Sequence, residues 1–326
     1  MTKLVTIFGG SGFVGRYIAQ KLAADGWRVR VAVRRPNEAL HVRPYGVVGQ
    51  VEPVFCNIRD DASVTAVMTG ADAVVNCVGT FDRKGRNNFG AVQHEGAERV
   101  ARIAAEHGVG TMVHISALGI ENDERSEYAA SKRLGEAGVL QHFPSAMILR
   151  PSVIFGPEDG FFNRFASLTR MGPFLPLVGG STMFQPVYVE DVALAAVKGV
   201  NGEAQGTSEL GGPEAKSLRD WVGVVMEEVN RKKIVINKPM FAGRILAWGL
   251  DLLQTLSLGL FKNGLLTRDQ VKQLSTDNVV SEGAKTLADL GIKATDIESV
   301  LPEYLWPYRP SGQYAAIKDS AKNLRA

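Results

Sequence analysis

This sequence of 326 residues has only two cysteines, a nearly balanced charge and no long basic run. The two cysteines, Cys56 and Cys77, each end an apolar run without a pairing pattern, so we expect reduced, buried thiols and no disulfide framework. The five histidines lack metal-ligand spacing, and we predict no metal site. A formal net charge of +3, with no basic run interleaved with aromatics, gives no support to a nucleic-acid partner.

We also expect no targeting segment. The chain enters its first apolar run within a few residues, which leaves no room for a signal or transit peptide, and we expect a protein that works where it is made, in a bacterial cytoplasm. Its composition, 45% hydrophobic and 22% charged, is that of a globular protein. The length suffices for one large domain or two coupled lobes.

The most informative stretch combines a strand, a glycine-rich turn and the start of a helix. The apolar run 3–8 predicts a buried strand, and an amphipathic pattern follows the turn. The glycines fit two registers, Gly10-x-Gly12-x-x-Gly15 and Gly9-x-x-Gly12-x-x-Gly15. Because N–H groups at a helix start point outward and glycine lets a pyrophosphate approach the backbone, the turn predicts dinucleotide binding. The predicted contacts in this turn are Gly9, Ser11, Gly12, Phe13, Val14 and Gly15.

The end of the second strand favours a phosphorylated cofactor. The apolar run 28–33 ends at Arg34 and Arg35, where an NAD site usually places Asp or Glu against the ribose 2′-hydroxyl. Two guanidinium groups suit a 2′-phosphate by charge and by forked hydrogen bonding. We therefore predict NADPH, although arginines at a strand end can also be merely solvated.

Two later strand ends should border the same cofactor. The strand 51–55 leads into a turn whose Asn57 can hydrogen-bond the adenine edge, and the buried strand 72–79 ends in glycine beside the riboses. The predicted contacts here are Asn57, Ile58, Cys77, Val78 and Gly79.

A tyrosine and a lysine follow the fifth predicted strand. The strand 111–117 contains Ser116, and the segment Tyr128-Ala-Ala-Ser-Lys132 comes after it. Residues four apart share one helix face, so Lys132 can lower the pKa of the Tyr128 phenol and hold the nicotinamide ribose. Ser116, Tyr128 and Lys132 are therefore candidates for acid/base chemistry at a hydride-transfer site.

Taken together, these motifs resemble the short-chain dehydrogenase/reductase superfamily in its extended or atypical form. The resemblance rests on Gly9-x-x-Gly12-x-x-Gly15, the strand end 76–79, Tyr128-x-x-x-Lys132 and the segment 149–157. It implies an α/β fold, a Rossmann-type doubly wound parallel sheet with a smaller, mostly helical C-terminal lobe. It also implies cofactor contacts at Pro151 and Val153, on the strand that returns under the nicotinamide.

Other segments resemble the family of nucleotide-binding accessory subunits of respiratory complex I, NADH:ubiquinone oxidoreductase. The similar segments are 156–165, 179–191, 266–271, 277–280 and 301–310. This resemblance implies a reductase-like fold that holds NADPH without turnover, with other complex I subunits as partners. It further implies a place near the quinone site, where the peripheral arm meets the membrane arm, peripheral to the cytoplasmic face of a bacterial inner membrane.

One departure from active relatives concerns catalysis. Their Ser or Thr beside the tyrosine usually sits one residue beyond the first serine of the strand end, and here Ser116 is followed by Ala117. If the hydroxyl is misplaced, Tyr128 and Lys132 bind ribose but the catalytic set is incomplete and vestigial. If Ser116 itself reaches the nicotinamide, the set is whole. We expect no turnover of its own.

The C-terminal part carries fewer chemical signals. The predicted domains are a dinucleotide-binding Rossmann domain, 1–156 and 183–212, and a smaller C-terminal lobe, 157–182 and 213–326. The apolar segment 239–261 is long enough to cross a membrane, but its charges and glycines argue against crossing. It either packs internally or docks on a membrane or partner. The proline-rich segment 304–310 predicts extended backbone with anchoring aromatics. The tail beyond Tyr314 is predicted to order only on a partner.

Two further functions stay open at this point. The chain could be a free NADPH-dependent reductase or dehydratase acting on a hydrophobic carbonyl compound or a quinone precursor. It could also be a sensor that reports the NADPH/NADP ratio by changing partner.

Overall fold

The computed structural model describes residues 2–83, 85–121, 126–238, 274 and 276–314. The chain divides into two compact units. Unit 1 comprises Met1–Ser152, Val189–Gly211 and Val280–Ala294, and unit 2 comprises Val153–Tyr188, Gly212–Val279 and Thr295–Ala326. Residues 280–294 thus group with unit 1, whereas the sequence-based division placed them in the C-terminal lobe. That division into domains stays a prediction.

The described strands and helices are numbered separately along the chain. The strands are β1 Leu4–Phe8, β2 Arg28–Val33, β3 Val51–Phe55, β4 Ala73–Asn76, β5 Thr111–Ile115, β6 Met147–Pro151, β7 Ile154–Phe155, β8 Phe174–Val178, β9 Met183–Phe184, β10 Val187–Tyr188, β11 Gly206–Leu210, β12 Lys216–Ser217 and β13 Ile234–Lys238. The α-helices are α1 Phe13–Ala24, α2 Asp61–Met68, α3 Glu95–Glu106, α4 Glu127–His142, α5 Phe162–Leu168, α6 Val189–Val200, α7 Leu218–Glu228 and α8 Ile297–Leu305. Shorter helical segments are the 3-10 helices Pro36–Tyr45, Trp306–Tyr308 and Gly312–Tyr314, and the π-helical turn Gly90–His94.

Unit 1 is built on a parallel sheet of seven strands in the order β11-β6-β5-β4-β1-β2-β3. Helices α1 and α6 pack together, as do α2, α3 and α4. The strand order reverses between β1 and β4, which is the crevice where doubly wound sheets bind ligands. The predicted Rossmann-type sheet is confirmed.

The strands of this sheet are apolar because helices cover them. All four residues of β4 are buried, and so are four of the five residues of β1. Capping fixes two of the covering helices: the Asp60 carboxylate accepts the Ser63 N–H at 2.9 Å, and the Ser126 hydroxyl accepts the Ala129 N–H at 3.2 Å.

Unit 2 contains, among its described residues, three two-stranded sheets that pair β7 with β10, β9 with β12 and β8 with β13. Its core packs α5, α7 and α8 through large apolar side chains, with Phe155, Phe162 and Trp221 almost fully buried. Phe162 meets Phe155 and Trp221 edge-on, at centroid distances of 5.9 and 6.0 Å. This aromatic core stabilises a unit whose strands are too short to do so alone.

The predicted extended backbone at 304–310 is wrong. Tyr304 lies in α8, and Trp306–Tyr308 forms a 3-10 helix. Asp296 caps α8, and the helix buries Ile297, Val300, Leu301 and Leu305. This burial offsets the hydrogen bond that Pro302 cannot donate inside the helix.

The segment 239–261 lies outside the described residues, as do the motif 266–271 and the tail 315–326. Within the described part of the chain, no helix combines the length and the apolar character needed to cross a membrane.

Candidate nucleotide site

The candidate site starts at the turn between β1 and α1. Gly9 has a φ of +75°, its N–H donates to Ala32 O at 3.0 Å, and its carbonyl accepts the Gly12 N–H at 3.0 Å. A Cβ on Gly15 would lie 2.7 Å from Gly10 Cα, so only glycine lets α1 pack this close to the turn. Gly9 therefore supplies the left-handed backbone and Gly15 the close approach.

The N-terminus of α1 has the donors that a phosphate group needs. Gly12 is the N-cap, no described side chain caps the helix, and its first turn has no acidic residue. The N–H groups of Phe13, Val14 and Gly15 have no acceptor one turn earlier, because they open the helix. The half-buried Ser11 lies immediately before the N-cap residue Gly12. These residues fit a pyrophosphate, whose oxygens would accept hydrogen bonds from these N–H groups.

The two arginines follow β2, the strand paired with β1 on the side away from β4. Both are exposed. Arg35 Nη1 lies 2.9 Å from Glu38 Oε1, whereas Arg34 forms no ion pair with any described residue. Arg34 therefore has the more available guanidinium for a 2′-phosphate.

The segment after β3 forms a tight turn. Asn57 is half-buried, its N–H donates to Ser63 Oγ at 2.9 Å, and its Oδ1 accepts the Arg59 N–H at 3.3 Å. Ile58 is buried and packs against Gly96. Arg59, which the sequence did not single out, has a buried Nε without a hydrogen-bond partner among described residues.

The end of β4 is held by a buried polar contact. Asn76 Oδ1 accepts the Val78 N–H at 3.1 Å, and Asn76 Nδ2 lies 3.2 Å from His114 Nδ1. Burial lowers the pKa of His114 to about 3, so its ring is neutral and Nδ1 accepts from the amide. Burial also raises the pKa of the Cys77 thiol to about 12. Cys77 and Val78 are half-buried and Gly79 is exposed, so this strand end reaches the surface.

Lys132 contacts the end of β5, at the residue before Ser116. Lys132 Nζ donates to Ile115 O at 3.0 Å, and the buried Ser116 Oγ has no hydrogen-bond partner among described residues. Burial lowers the pKa of Lys132 to about 8, while Glu136 and Cys77 act in the opposite direction. A buried hydroxyl without a partner among described residues, next in the chain to the carbonyl that the ammonium group contacts, fits a polar ligand such as a nicotinamide ribose or amide.

Tyr128 is half-buried on α4, one turn before Lys132. Its ring stacks on Phe81 with centroids 5.5 Å apart and lies edge-on to Phe89 at 6.0 Å. The structure thus places Tyr128, Lys132 and Ser116 at one end of the sheet of unit 1, where β4 and β5 end.

Pro151 and Val153 fall in different units. Pro151 is buried at the end of β6, and its carbonyl accepts the Leu118 N–H at 2.9 Å. Val153 belongs to unit 2, where its N–H donates to Asn278 Oδ1 at 3.2 Å. All the other predicted contacts follow the carboxyl ends of β1 to β5 or lie on α1 and α4, within unit 1.

Gln93 is a site residue that sequence reasoning missed. It is buried in the π-helical turn, Nε2 donates to Thr80 O at 2.6 Å, and Oε1 accepts the Ser131 hydroxyl at 2.7 Å. No local pattern marks it, because its partners lie in other elements. Among the described residues, no group of three or more His, Cys, Asp or Glu side chains could hold a metal ion.

Comparisons with known proteins fit this geometry. The profile described as "NAD dependent epimerase/dehydratase family" matches residues 5–208. "NADH dehydrogenase [ubiquinone] 1 alpha subcomplex subunit 9, mitochondrial" of Arabidopsis thaliana is 32% identical over 316 residues, covering 95% of this chain and 79% of that protein. A "Ceramide reductase" of Caulobacter vibrioides is 32% identical over 207 residues, 64% of each chain.

A solved structure shares the fold. The UDP-glucose 4-epimerase of Thermus thermophilus, in complex with NAD, has a TM-score of 0.68 and 18% identity. The match covers 94% of this chain and 99% of that chain.

Proposed function

Because the chain belongs to the NAD dependent epimerase/dehydratase family, we propose that it is an accessory subunit of respiratory complex I that holds a structural NADPH. The observation that carries the proposal is the share of the chain that each similar protein covers. The match to the complex I subunit covers 95% of the chain and therefore both units, whereas the match to the reductase covers 64%. A role shared over both units agrees better with an assembly subunit than with a free reductase.

The proposed cofactor rests on the turn and on Arg34. The N-terminus of α1 offers N–H donors to the pyrophosphate, and the guanidinium of Arg34, without an ion pair among the described residues, offers charge to a 2′-phosphate. The proposed binding residues remain Gly9, Ser11, Gly12, Phe13, Val14, Gly15, Arg34, Arg35, Asn57, Ile58, Cys77, Val78, Gly79, Ser116, Tyr128, Lys132, Pro151 and Val153. A ligand that binds only the folded chain stabilises it by mass action, which is the structural role we assign to NADPH.

The proposed location is the cytoplasmic face of a bacterial inner membrane, near the junction of the peripheral and membrane arms and the quinone site. A surface of unit 2 supports peripheral contact with lipid. Phe174 and Ile234 are paired neighbours on β8 and β13, and they are 56% and 61% exposed. Met171, three residues before Phe174 in the chain, is 66% exposed.

The two chain segments that carry this surface have charges of one sign. The segments 160–180 and 229–238 contain Arg164, Arg170, Arg231, Lys232, Lys233 and Lys238 and no Asp or Glu. Exposed apolar side chains flanked by cations suit an anionic lipid surface.

The second candidate is a reductase for a hydrophobic carbonyl compound, and one observation favours it. Ser116, Tyr128 and Lys132 all lie at the same strand ends of unit 1, and a relative named for ceramide reduction shares 32% identity. In such a reaction the bound cofactor would supply the hydride, Tyr128 would give a proton to the carbonyl oxygen, and Lys132 would hold the ribose.

Native electrophoresis of membranes solubilised in mild detergent tests the choice. An accessory subunit migrates with NADH:ubiquinone oxidoreductase activity and leaves its NADPH unoxidised when aldehydes or quinones are added. Migration as a small soluble species that consumes NADPH, with Tyr128→Phe abolishing the consumption, would replace the first proposal by the second.

A further inference from the structure

The segment 79–83, here called the cover segment, leaves β4 and lies against α4. At its inner end, Thr80 O accepts the Gln93 Nε2–H at 2.6 Å and Thr80 Oγ1 accepts the Asp82 N–H at 3.0 Å. At its outer end, Arg83 and Glu127 form a two-point ion pair, with Nη2–Oε1 at 2.5 Å and Nε–Oε2 at 3.1 Å. Hydrogen bonds therefore hold the cover segment at both ends, to Gln93 at one end and to Glu127 at the other.

Between these attachments, Phe81 is placed on the ring of Tyr128. The two rings are 11° from parallel with centroids 5.5 Å apart, although the Phe81 side chain remains 68% exposed. An exposed aromatic ring buries little area, so core packing does not account for its position. The Phe81 ring instead contacts Tyr128, the candidate acid/base residue.

Gln93 connects the cover segment to the helix that carries Tyr128. Its Oε1 accepts the Ser131 hydroxyl at 2.7 Å, and that hydroxyl also lies 2.7 Å from Tyr128 O. The position of the cover segment is thus tied to the position of Tyr128.

We propose that the cover segment screens Tyr128 from carbonyl compounds, with Phe81 as the residue that decides access and the Arg83–Glu127 pair as its latch. This inference deepens the proposed function, since a screened tyrosine lets the chain hold NADPH without oxidising it. In carbonyl reduction the carbonyl carbon takes a hydride with both electrons from the dihydronicotinamide, and the oxygen takes the tyrosine proton. The products are an alcohol, NADP⁺ and a tyrosinate, which takes its proton back from water. A ring on Tyr128 obstructs the second of these transfers.

Nitration of Tyr128 by tetranitromethane, followed by peptide mass spectrometry, tests the screen without any turnover. Phe81→Ala is expected to raise the rate about threefold or more, the factor that corresponds to losing an aromatic pair. Arg83→Gln is expected to raise the rate by less, because both rings remain. The matched controls are Phe55→Ala, an aromatic that is 62% exposed on β3, and Arg43→Gln, which breaks the exposed pair with Glu52. Both controls should nitrate Tyr128 at the wild-type rate.

Unchanged nitration in Phe81→Ala, or an equal rise in the controls, would overturn the screen. A faster nitration of Tyr128 in Phe81→Ala but not in Arg83→Gln would support screening by Phe81. It would refute the role of the Arg83–Glu127 pair as a latch. Turnover of 4-nitrobenzaldehyde tests the consequence: Phe81→Ala should oxidise NADPH, and Phe81→Ala with Tyr128→Phe should not. No oxidation by Phe81→Ala despite faster nitration would overturn the claim that the screen prevents turnover.

The same experiment separates the two proposals. If wild-type protein fails to retain NADPH while Phe81→Ala nitrates faster, the nucleotide proposal falls and the screen stands. If wild-type protein oxidises NADPH as fast as Phe81→Ala does, the screen and the non-catalytic role fall together.

Discussion

In unit 1 the seven strands form one parallel sheet, and helices connect successive strands. In unit 2 the described strands form two-stranded sheets, and side-chain hydrogen bonds connect the unit's earlier segments to its C-terminal residues. Asp159 of unit 2 accepts the N–H groups of Gly156, Phe161 and Asn163 at 3.2, 2.9 and 3.0 Å. The Tyr304 hydroxyl, from α8, donates to the same carboxylate at 2.6 Å. One buried carboxylate thus joins two segments that are far apart in sequence.

The difference shows where each unit is sensitive. Unit 1 depends on backbone approach at the glycine turn, and its buried polar groups Lys132, Asn76, His114 and Ser116 lie beside the candidate site. Unit 2 depends on a few tie points, since Arg309 Nε also donates to Glu228 O at 2.9 Å and Arg231 Nε donates to Tyr308 O at 2.9 Å. Substituting a glycine of the turn should therefore destabilise unit 1 most. Removing a single hydrogen-bonding side chain should destabilise unit 2 most.

The largest effect is expected for Gly15→Val. The new side chain would meet the backbone of Gly9 and Gly10, so we expect a loss of about 3 kcal/mol or more in the free energy of unfolding, together with loss of retained NADPH. Thermal unfolding and nucleotide assay of the purified protein measure both. The control is Gly223→Ala in α7, where a Cβ meets nothing within 4 Å and alanine favours the helix. Wild-type stability in Gly15→Val would refute the close approach.

Asp159→Ala should rank second. It removes the acceptor of three N–H groups and of the Tyr304 hydroxyl, and leaving such buried donors unsatisfied costs about 3 kcal/mol. Urea denaturation measures the change, and Glu303→Ala, an exposed carboxylate next to Tyr304 on α8, should leave the midpoint of unfolding unchanged. If both variants unfold alike, the carboxylate is not the tie point of unit 2.

A pH-dependent effect is expected at Lys132. Burial lowers its pKa from 10.5 to about 8, so between these values the unfolded chain binds more protons than the folded chain. The free energy of unfolding then gains a contribution that rises with pH, by at most about 1.4 kcal/mol per pH unit.

Lys132→Met lacks this contribution, so the wild-type minus variant difference should rise from pH 8 to 10.5 in denaturation at fixed temperature. Subtraction also cancels the titration of Cys56, which both proteins share. The Cys77 thiol interacts electrostatically with Lys132, so both proteins are compared in a Cys77→Ser background. A difference that stays flat over this window would mean that Lys132 is not desolvated in unit 1.

The smallest effect is expected for Arg34→Ala, a surface change. Loss of a charge-assisted contact to the 2′-phosphate should weaken NADPH binding about tenfold and leave NADH binding unchanged. Arg35→Ala should do less, because its guanidinium already pairs with Glu38. Fluorescence titration with both nucleotides measures this, with Arg28→Ala at the opposite end of β2 as control. Equal losses for NADH and NADPH would rule out a 2′-phosphate contact.

Much of unit 1 could be predicted from local patterns. The strands 28–33 and 51–55 occur as β2 and β3 with the predicted bounds, and the glycine turn opens α1. Each of these features depends on residues close together in sequence, through apolar runs, turn glycines and helix periodicity. The parallel order then follows because strands alternate with helices.

The sequence by itself determined the strand–turn–helix units and the side chains that follow each strand. Only the tertiary structure decided which distant residues meet, namely Phe81 on Tyr128, Gln93 between Thr80 and Ser131, and Tyr304 on Asp159. The proline-rich segment 304–310 shows why: its local preference for extended backbone was overcome by burial of α8 in the core of unit 2. Local preferences amount to tenths of a kcal/mol per residue, whereas burying one large apolar side chain contributes about 2 kcal/mol.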